Sequence, residues 1–121
     1  MATFTRFEDI RAWQRARELS RHVYSITSVP KFAQDHALKN QIRRAANSVV
    51  LNIAEGYGRQ TSREFLHFLM IARGSLAEAQ SALYIASDQG YITIEELQNI
   101  YLIAEETGRM ITQLGKYLRN H

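Results

Sequence analysis

An apolar stripe with steps of four and three residues runs into and through the segment 41–58, QIRRAANSVVLNIAEGYG. This spacing places its members on one face of a helix. The stripe comprises Leu38, Ile42, Ala45, Val49 and Ile53. Further apolar residues project from other sides, at Ala46, Val50, Leu51 and Ala54. Because a helix that is apolar nearly all round is usually buried on more than one side, the pattern predicts that a second copy of the chain covers this helix.

Four helices are predicted from the places where proline and glycine interrupt the chain. Pro30 ends the first helix because proline disfavours helical geometry in the residue before it. Gly58 is expected in the left-handed position just past the second helix, and Gly90 ends the third. The predicted helices span about residues 6–28, 36–57, 62–89 and 94–119, with a connection at 31–34.

The predicted helix starts carry capping residues. Three of them match the Thr-x-x-Glu capping box, in which the hydroxyl and the carboxylate each accept a backbone N–H; these boxes begin at Thr5, Thr61 and Thr93. Asp35 is the expected N-cap of the second helix. Short connections favour antiparallel neighbours. The predicted fold class is therefore all-α, an antiparallel up-down-up-down four-helix bundle that forms one domain over residues 1–121.

The third predicted helix has the most regular apolar spacing, which is typical of a bundle seam. The seam comprises Phe65, Leu69, Ala72, Leu76, Ala79, Leu83 and Ala86. Pairing the third and fourth helices about Gly90 sets Gly74 opposite Gly108. A glycine inside a helix costs about 1 kcal/mol relative to alanine. The pair therefore has two interpretations, a close approach of the two backbones or two tolerated defects.

Cationic side chains are concentrated in the first half of the chain. Residues 1–60 hold ten Lys or Arg and five Asp or Glu, whereas residues 61–121 hold five and seven, which gives net charges of +5 and −2. Clustered cations attract phosphate backbones, and arginine can donate two hydrogen bonds to one phosphate. The candidate nucleic-acid-binding residues are Arg11, Arg15, Arg17, Arg21, Lys39 and Arg43. The alternative is a solvated bundle face on which Glu8, Asp9 and Glu18 interleave with these cations.

Polar residues also lie on or beside the apolar stripes of the second and third helices. Folding this hairpin about residues 59 and 60 brings Arg44 near Glu78 and Glu55 near the start of the third helix. Because buried charges need partners, a structural network between the two helices is predicted. Its candidate members are Arg44, Asn52, Glu55, Arg73 and Glu78.

No residue pattern indicates a catalytic, cofactor-binding or metal site. Only Glu64 and His67 form a Glu-x-x-His pair, and a di-iron bundle needs two such pairs. The GYG stretch at 56–58 lacks the lysine of a phosphate-binding loop, and GxSxG is absent. The chain has no cysteine, no apolar N-terminal stretch and no apolar run of membrane length. We therefore expect a non-enzymatic cytoplasmic protein with no cofactor and no membrane partner.

Three blocks of sequence resemble a known family. They are FEDI with AWQ at 7–10 and 12–14, QIRRAA at 41–46 running into NIAEG at 52–56, and the block at 68–76 with Glu78. Together they are similar to the four helix bundle proteins that are encoded in intervening sequences of bacterial large-subunit ribosomal RNA genes. Two departures from the family pattern are Asn47 and the run VVL at 49–51.

The resemblance implies a four-helix bundle that assembles as a homopentameric ring and has no catalytic residues. Relatives include accessory proteins of diversity-generating retroelements, which bind a reverse transcriptase and nucleic acid. The leading hypothesis is an oligomer that binds RNA or DNA, or a nucleic-acid-handling protein such as a reverse transcriptase, through its first two helices. The alternative is an oligomeric scaffold or protein-interaction module with no nucleic-acid role.

Overall fold

The computed structural model describes residues 4–121, and within this range it contains α-helices, one 3-10 turn and no strand. The all-α prediction is confirmed. The helices are α1 (Arg11–Thr27), α2 (Pro30–Ala33), α3 (His36–Gly58), α4 (Ser62–Asp88) and α5 (Ile94–Arg119), and the 3-10 turn is Phe7–Asp9. The bounds of α3, α4 and α5 agree with the sequence-based bounds to within one residue.

Each of the four long helices packs against two others. Helix α3 contacts α1 and α4, and helix α5 also contacts α1 and α4. The contacts therefore close a helical bundle in the spatial order α1, α3, α4, α5. Its apolar stripes meet in one core, whose largest fully buried side chains are Phe32, Ile10, Leu19, Ile42, Ile53, Leu83, Ile111, Val23 and Val49. Burial of these stripes is what holds the helices together.

The N-terminal segment differs from the predicted capping box at Thr5. Ile10 is extended, with φ −77° and ψ 119°, and α1 begins only at Arg11. The N–H and the hydroxyl of Thr5 donate to the Asp9 carboxylate at 3.3 and 3.0 Å, so Thr5 does not accept a bond from Glu8. The hydroxyl bond lowers the pKa of Asp9. The prediction failed because Ile10 enters the core, and the chain must leave helical geometry to bury it.

The two later Thr-x-x-Glu sequences form caps. At Thr93 the capping box is complete, because its hydroxyl accepts the Glu96 N–H at 3.0 Å and its own N–H donates to the Glu96 carboxylate at 2.8 Å. At Thr61 only half of the box forms. Its hydroxyl accepts the Glu64 N–H at 3.2 Å, but the Glu64 carboxylate accepts from the Thr61 hydroxyl rather than from the backbone. These caps fix where α4 and α5 start.

One helical turn, α2, replaces part of the connection that was predicted between the first two long helices. Its Phe32 is fully buried, and the Phe32 ring lies 5.1 Å from the ring of Tyr91. The Tyr91 hydroxyl donates to Asp35 at 2.9 Å, and Asp35 caps α3 as predicted by accepting the Leu38 N–H at 3.1 Å. Accepting these two bonds lowers the pKa of the Asp35 carboxyl, and the bond from Leu38 has the larger effect. Donating to Asp35 raises the pKa of the Tyr91 hydroxyl. These contacts join the start of α3 to the α4–α5 connection.

The turn between α3 and α4 does not use Gly58 in the predicted way. Gly58 is the last residue of α3, and the positive φ, 70°, occurs at Gln60. Gly58 keeps helical geometry, and the chain reverses its direction at Gln60, two residues later. Gly90 does have a positive φ, 73°, after the end of α4.

The close helix approach occurs at Gly56 and not at Gly74 and Gly108, for which it was one of two interpretations. A Cβ on Gly74 would meet nothing within 4 Å, and one on Gly108 would meet a Leu76 methyl at 3.3 Å. A Cβ on Gly56 would lie 2.8 Å from the Phe68 Cβ. The interpretation of Gly74 and Gly108 as facing backbones is therefore wrong, because Gly74 lies on the exposed side of α4.

Candidate nucleic-acid interface

A depression between α1 and α3, here called the α1–α3 groove, is lined by cations and amides. It consists of two adjoining cavities of about 560 and 520 Å³, which share Tyr24, Asn47 and Leu51. Its lining includes four arginines and three asparagines, and it includes no acidic residue. These are Arg17, Arg21, Arg43, Arg44, Asn40, Asn47 and Asn52. The groove therefore offers many hydrogen-bond donors to an anionic ligand.

The helical repeat explains why these residues share one groove. Arg17, Arg21 and Tyr24 are spaced by four and three on α1, beside the buried stripe that faces the core. Arg44 and Leu51 lie at the same kind of spacing on α3, together with the asparagines at 40 and 47. Residues three and four apart are neighbours on a helix surface. Packing α1 on α3 therefore brings two polar strips together along their common edge.

Arg43 is held in place by three contacts. Its guanidinium carbon lies 4.4 Å from the centre of the Tyr24 ring, which is a cation–π distance. Its Nε donates to the Thr27 hydroxyl at 2.7 Å, and one Nη donates to the Ser28 hydroxyl at 3.4 Å. The buried Thr27 hydroxyl in turn donates to the Val23 carbonyl at 2.7 Å. Arg43 is therefore fixed in position and keeps N–H groups that these contacts do not use.

Asn47 connects the two helices across the floor of the groove. Its side-chain oxygen accepts from the Ser20 hydroxyl at 2.8 Å, and its side-chain nitrogen donates to the Tyr24 hydroxyl at 2.8 Å. The amide orientation is therefore set by a donor on one side and an acceptor on the other. This chain of bonds holds the Tyr24 ring beside Arg43.

The arginines of the groove are free of carboxylate partners. Within residues 4–121, no salt bridge involves Arg17, Arg21, Arg43 or Arg44. Arg17 lies over the ring of Trp13, with its guanidinium carbon 5.6 Å from the ring centre. This stacking leaves the edge of the guanidinium, where its donors are, open to a ligand.

A family model described as 23S rRNA-intervening sequence protein matches residues 8–113. The chain belongs to the 23S rRNA-intervening sequence protein family. The family resemblance of the sequence is thereby confirmed. A comparison with the curated proteins found no match.

One solved structure is similar to this family member over nearly its whole length. It is the 1.70 Å crystal structure of a protein with unknown function from the S23 ribosomal protein family of Bacteroides thetaiotaomicron VPI-5482. The TM-score is 0.79, and the sequences are 23% identical. The similarity covers 87% of this chain and 98% of that chain. It shows that the two proteins share a helical fold.

The six candidate cations of this intervening-sequence protein lie on different surfaces of the bundle. Arg17 and Arg21 line the groove together with Arg43, as described above. Arg15 instead pairs with Glu18 at 2.7 Å and with Glu106 of α5 at 3.4 Å. Two further candidates, Arg11 and Lys39, are absent from the groove lining, and Arg11 lines a separate cavity with residues of α5. The six therefore do not form one surface, because α1 presents its arginines to two different neighbours.

Arg44 belongs to the groove and not to the predicted network. Within residues 4–121 no salt bridge joins Arg44 to Glu78; Gln41 donates the hydrogen bond that Glu78 accepts. The predicted pairing is wrong because the Arg44 side chain lies on the α1 side of α3. Its spacing to Asn40 and Asn47 was the sequence signal that could have placed it there.

Two other network candidates, Asn52 and Glu55, contact residues four positions away on α3 and its C-terminal end. Asn52 donates to the Ser48 carbonyl at 2.8 Å, and the Ser48 hydroxyl lies 2.7 Å from that of Ser75 on α4. Glu55 approaches the start of α4 through Arg59, which lies 3.0 Å from the Glu55 carboxylate and 3.5 Å from that of Glu64. The hydroxyls of Ser48 and Ser75, the ion pairs of Arg59 and the hydrogen bond from Gln41 to Glu78 therefore connect α3 to α4.

Arg73, the fifth candidate of the predicted network, also lies outside it. It is exposed on α4 and forms no salt bridge within the described range of 4–121. In the same range, no group of three or more His, Cys, Asp or Glu is arranged to hold a metal ion. None of the helices there combines the length and the apolar character that crossing a bilayer requires.

Proposed function

We propose that this protein binds RNA or DNA through the α1–α3 groove and that it acts as a non-enzymatic oligomer in the cytoplasm. The observation that carries the proposal is that, among residues 4–121, the groove is lined by four arginines without carboxylate partners and by no acidic residue. A planar guanidinium matches the geometry of a phosphate, to which it can donate two parallel hydrogen bonds. Four such groups along one groove suit a chain of phosphates.

The positioned side chains of the groove support binding with little ordering. Arg43 is already stacked on Tyr24 and bonded to Thr27. A side chain that is fixed beforehand loses less rotamer freedom when a ligand binds. The groove therefore offers part of its phosphate contacts in a preformed arrangement.

Tyr24 gives the groove an aromatic surface as well. Its side chain is 41% exposed, and its hydroxyl is held by Asn47. Bases of a single strand stack on such aromatic rings with little dependence on sequence. We therefore expect the protein to prefer single-stranded or looped nucleic acid and to read little sequence.

The double variant Arg17→Gln/Arg44→Gln is expected to bind a single-stranded RNA oligonucleotide about tenfold more weakly than the wild type. Removing two phosphate contacts should also reduce the slope of log affinity against log salt by about 1.4, because each contact to a single strand contributes about 0.7. Fluorescence anisotropy over a range of salt concentrations measures both quantities.

The matched control is Arg63→Gln/Arg119→Gln, which removes the same charge from exposed positions at the start of α4 and the end of α5. This control should retain nearly all of the affinity and the slope. Equal losses in the two double variants would show that only net charge matters. Absence of binding by the wild type at low salt would contradict the proposal.

The second candidate function is an oligomeric scaffold without a nucleic-acid role, and exposed apolar side chains favour it. On α3 and α4, Leu51 is 65% exposed, Met70 is 68% exposed, and Ile71 is also exposed. Met70 and Ile71 are adjacent in the sequence, and contiguous exposed apolar side chains are typical of protein interfaces. They support self-association, and the family resemblance suggests a homopentameric ring built from up-down-up-down bundles.

Met70→Glu is expected to shift the assembly toward smaller species, because a charge would be buried in the interface without a partner. Sedimentation at micromolar concentration measures the change. Leu102→Glu is the matched control, since Leu102 is 53% exposed but lies on α5. A wild-type chain that sediments as a monomer would remove both the ring and the scaffold function. An oligomer that binds no RNA would favour the scaffold.

A further inference from the structure

A second basic depression, here called the α4–α5 cleft, lies between α4 and α5. In the spatial order of the helices this edge is opposite the edge between α1 and α3. The cleft has a volume of about 460 Å³, and its cations are Arg73, Arg109 and Lys116. No acidic residue lines it. The second half of the chain carries a net charge of −2. A cluster of three cations without a carboxylate is therefore opposite in sign to the half of the chain that contains it.

The three cations are available to a ligand. All three are exposed, and none forms a salt bridge within residues 4–121. Arg109 and Lys116 are seven residues apart, so they lie two turns apart on one face of α5, about 10 Å along the helix axis. Their long side chains, with that of Arg73 from α4, can converge on one anion between the helices.

Small residues and neutral donors shape the interior of the cleft. Gly108 and Ala77 line it and leave room between the helices, and a Cβ on Gly108 would lie 3.3 Å from a methyl of Leu76. Thr112 and Gln113 lie on the same face of α5 and also line the cleft. A hydroxyl and an amide can donate further bonds to phosphate oxygens.

We propose that the α4–α5 cleft binds a compact polyphosphate anion, meaning two or more linked phosphate groups, either free or as part of a nucleotide. Linked phosphates carry two or more negative charges within a few ångströms, which suits three converging cations. The residues that line the cleft span 108–116 of α5, about two helical turns, whereas those that line the α1–α3 groove span 40–52 of α3, about three turns. The shape of the cleft therefore favours a small anion over a polymer strand. This proposal does not depend on nucleic-acid binding by the α1–α3 groove.

Isothermal titration calorimetry at constant ionic strength tests the proposal, with pyrophosphate, ADP and orthophosphate as separate ligands. We expect one pyrophosphate per chain, bound more tightly than orthophosphate. Arg109→Gln and Lys116→Gln should each weaken pyrophosphate binding about tenfold, the usual loss for one charged hydrogen bond. Arg63→Gln, a change of the same charge at an exposed position near the start of α4 that does not line the cleft, should leave binding nearly unchanged. Because these side chains are exposed, melting curves should show that each variant stays folded.

The ADP titration distinguishes the two sources of the phosphate groups. Tighter binding of ADP than of pyrophosphate would identify a nucleotide, and equal or weaker binding would identify the phosphates alone; either outcome supports the cleft as a polyphosphate site. Three results would overturn it: no saturable binding at millimolar pyrophosphate, an equal loss in Arg63→Gln, or a loss in Arg17→Gln/Arg44→Gln but not in Arg109→Gln. The RNA affinity of Arg109→Gln should stay near that of the wild type, since the two sites share no residue.

Discussion

Phe32→Ala is expected to lower the free energy of unfolding by about 3 to 5 kcal/mol, the usual cost of truncating a buried phenylalanine. The Phe32 side chain has no exposed surface, and its ring packs against Tyr91. Removing it would leave a cavity between α2 and the α4–α5 connection. Urea denaturation followed by far-ultraviolet circular dichroism measures the change.

Phe7→Ala is the matched control because it makes the same chemical change at a residue that is 36% exposed. Phe7 keeps one edge-to-face contact with Trp13, so its loss should cost about 1 kcal/mol or less. If Phe32→Ala were no more destabilising than Phe7→Ala, α2 would not be part of the core.

Gly56→Ala is expected to destabilise the protein by about 2 to 3 kcal/mol, although alanine is the better helix former. The new methyl carbon would lie 2.8 Å from the Phe68 Cβ, 2.9 Å from a ring carbon of Phe65 and 3.3 Å from the Phe65 carbonyl oxygen. The Phe68 Cβ and the Phe65 carbonyl oxygen are fixed by the backbone of α4, so a change of rotamer cannot move them. Helices α3 and α4 would therefore have to move apart. Thermal melting and urea titration measure the loss.

Gly74→Ala provides the control for helix propensity. A methyl group there would meet nothing within 4 Å, and Gly74 lies inside α4. The substitution should stabilise the protein by up to about 1 kcal/mol. If Gly56→Ala also stabilised the protein, the contact between α3 and α4 at that position would be looser than the structure indicates.

The long helices could be predicted because their signals are strong and local. The complete box at Thr93 and the N-cap at Asp35 are short-range hydrogen bonds, and the chain alone determines them. The box at Thr5 followed the same rule but did not form. There the burial of Ile10 overrides the local pattern, and burial depends on the rest of the fold.

Helix α2 could not be predicted from apolar spacing because one turn is too short to show a period. Phe32 is the one large apolar residue of the segment 30–35 besides the proline, and its ring packs against Tyr91, which lies far along the chain. A pairing of this kind depends on tertiary structure, which propensity does not include.

The α1–α3 groove could be predicted in part. The excess of positive charge in the first half of the chain placed Arg17, Arg21 and Arg43 among the candidate cations. Sequence could not show that Arg15 turns to Glu106, since that pair joins α1 to α5. Nor could it show on which side of α3 Arg44 lies, because helix rotation within a bundle is set by packing.

Every residue that lines the α1–α3 groove belongs to a long helix, and none comes from a connecting segment. Capture of a nucleic acid would therefore need no slow closure of a loop. Diffusion and long-range attraction would set the association rate, which should approach the fast range of electrostatically steered encounters and fall as salt is added.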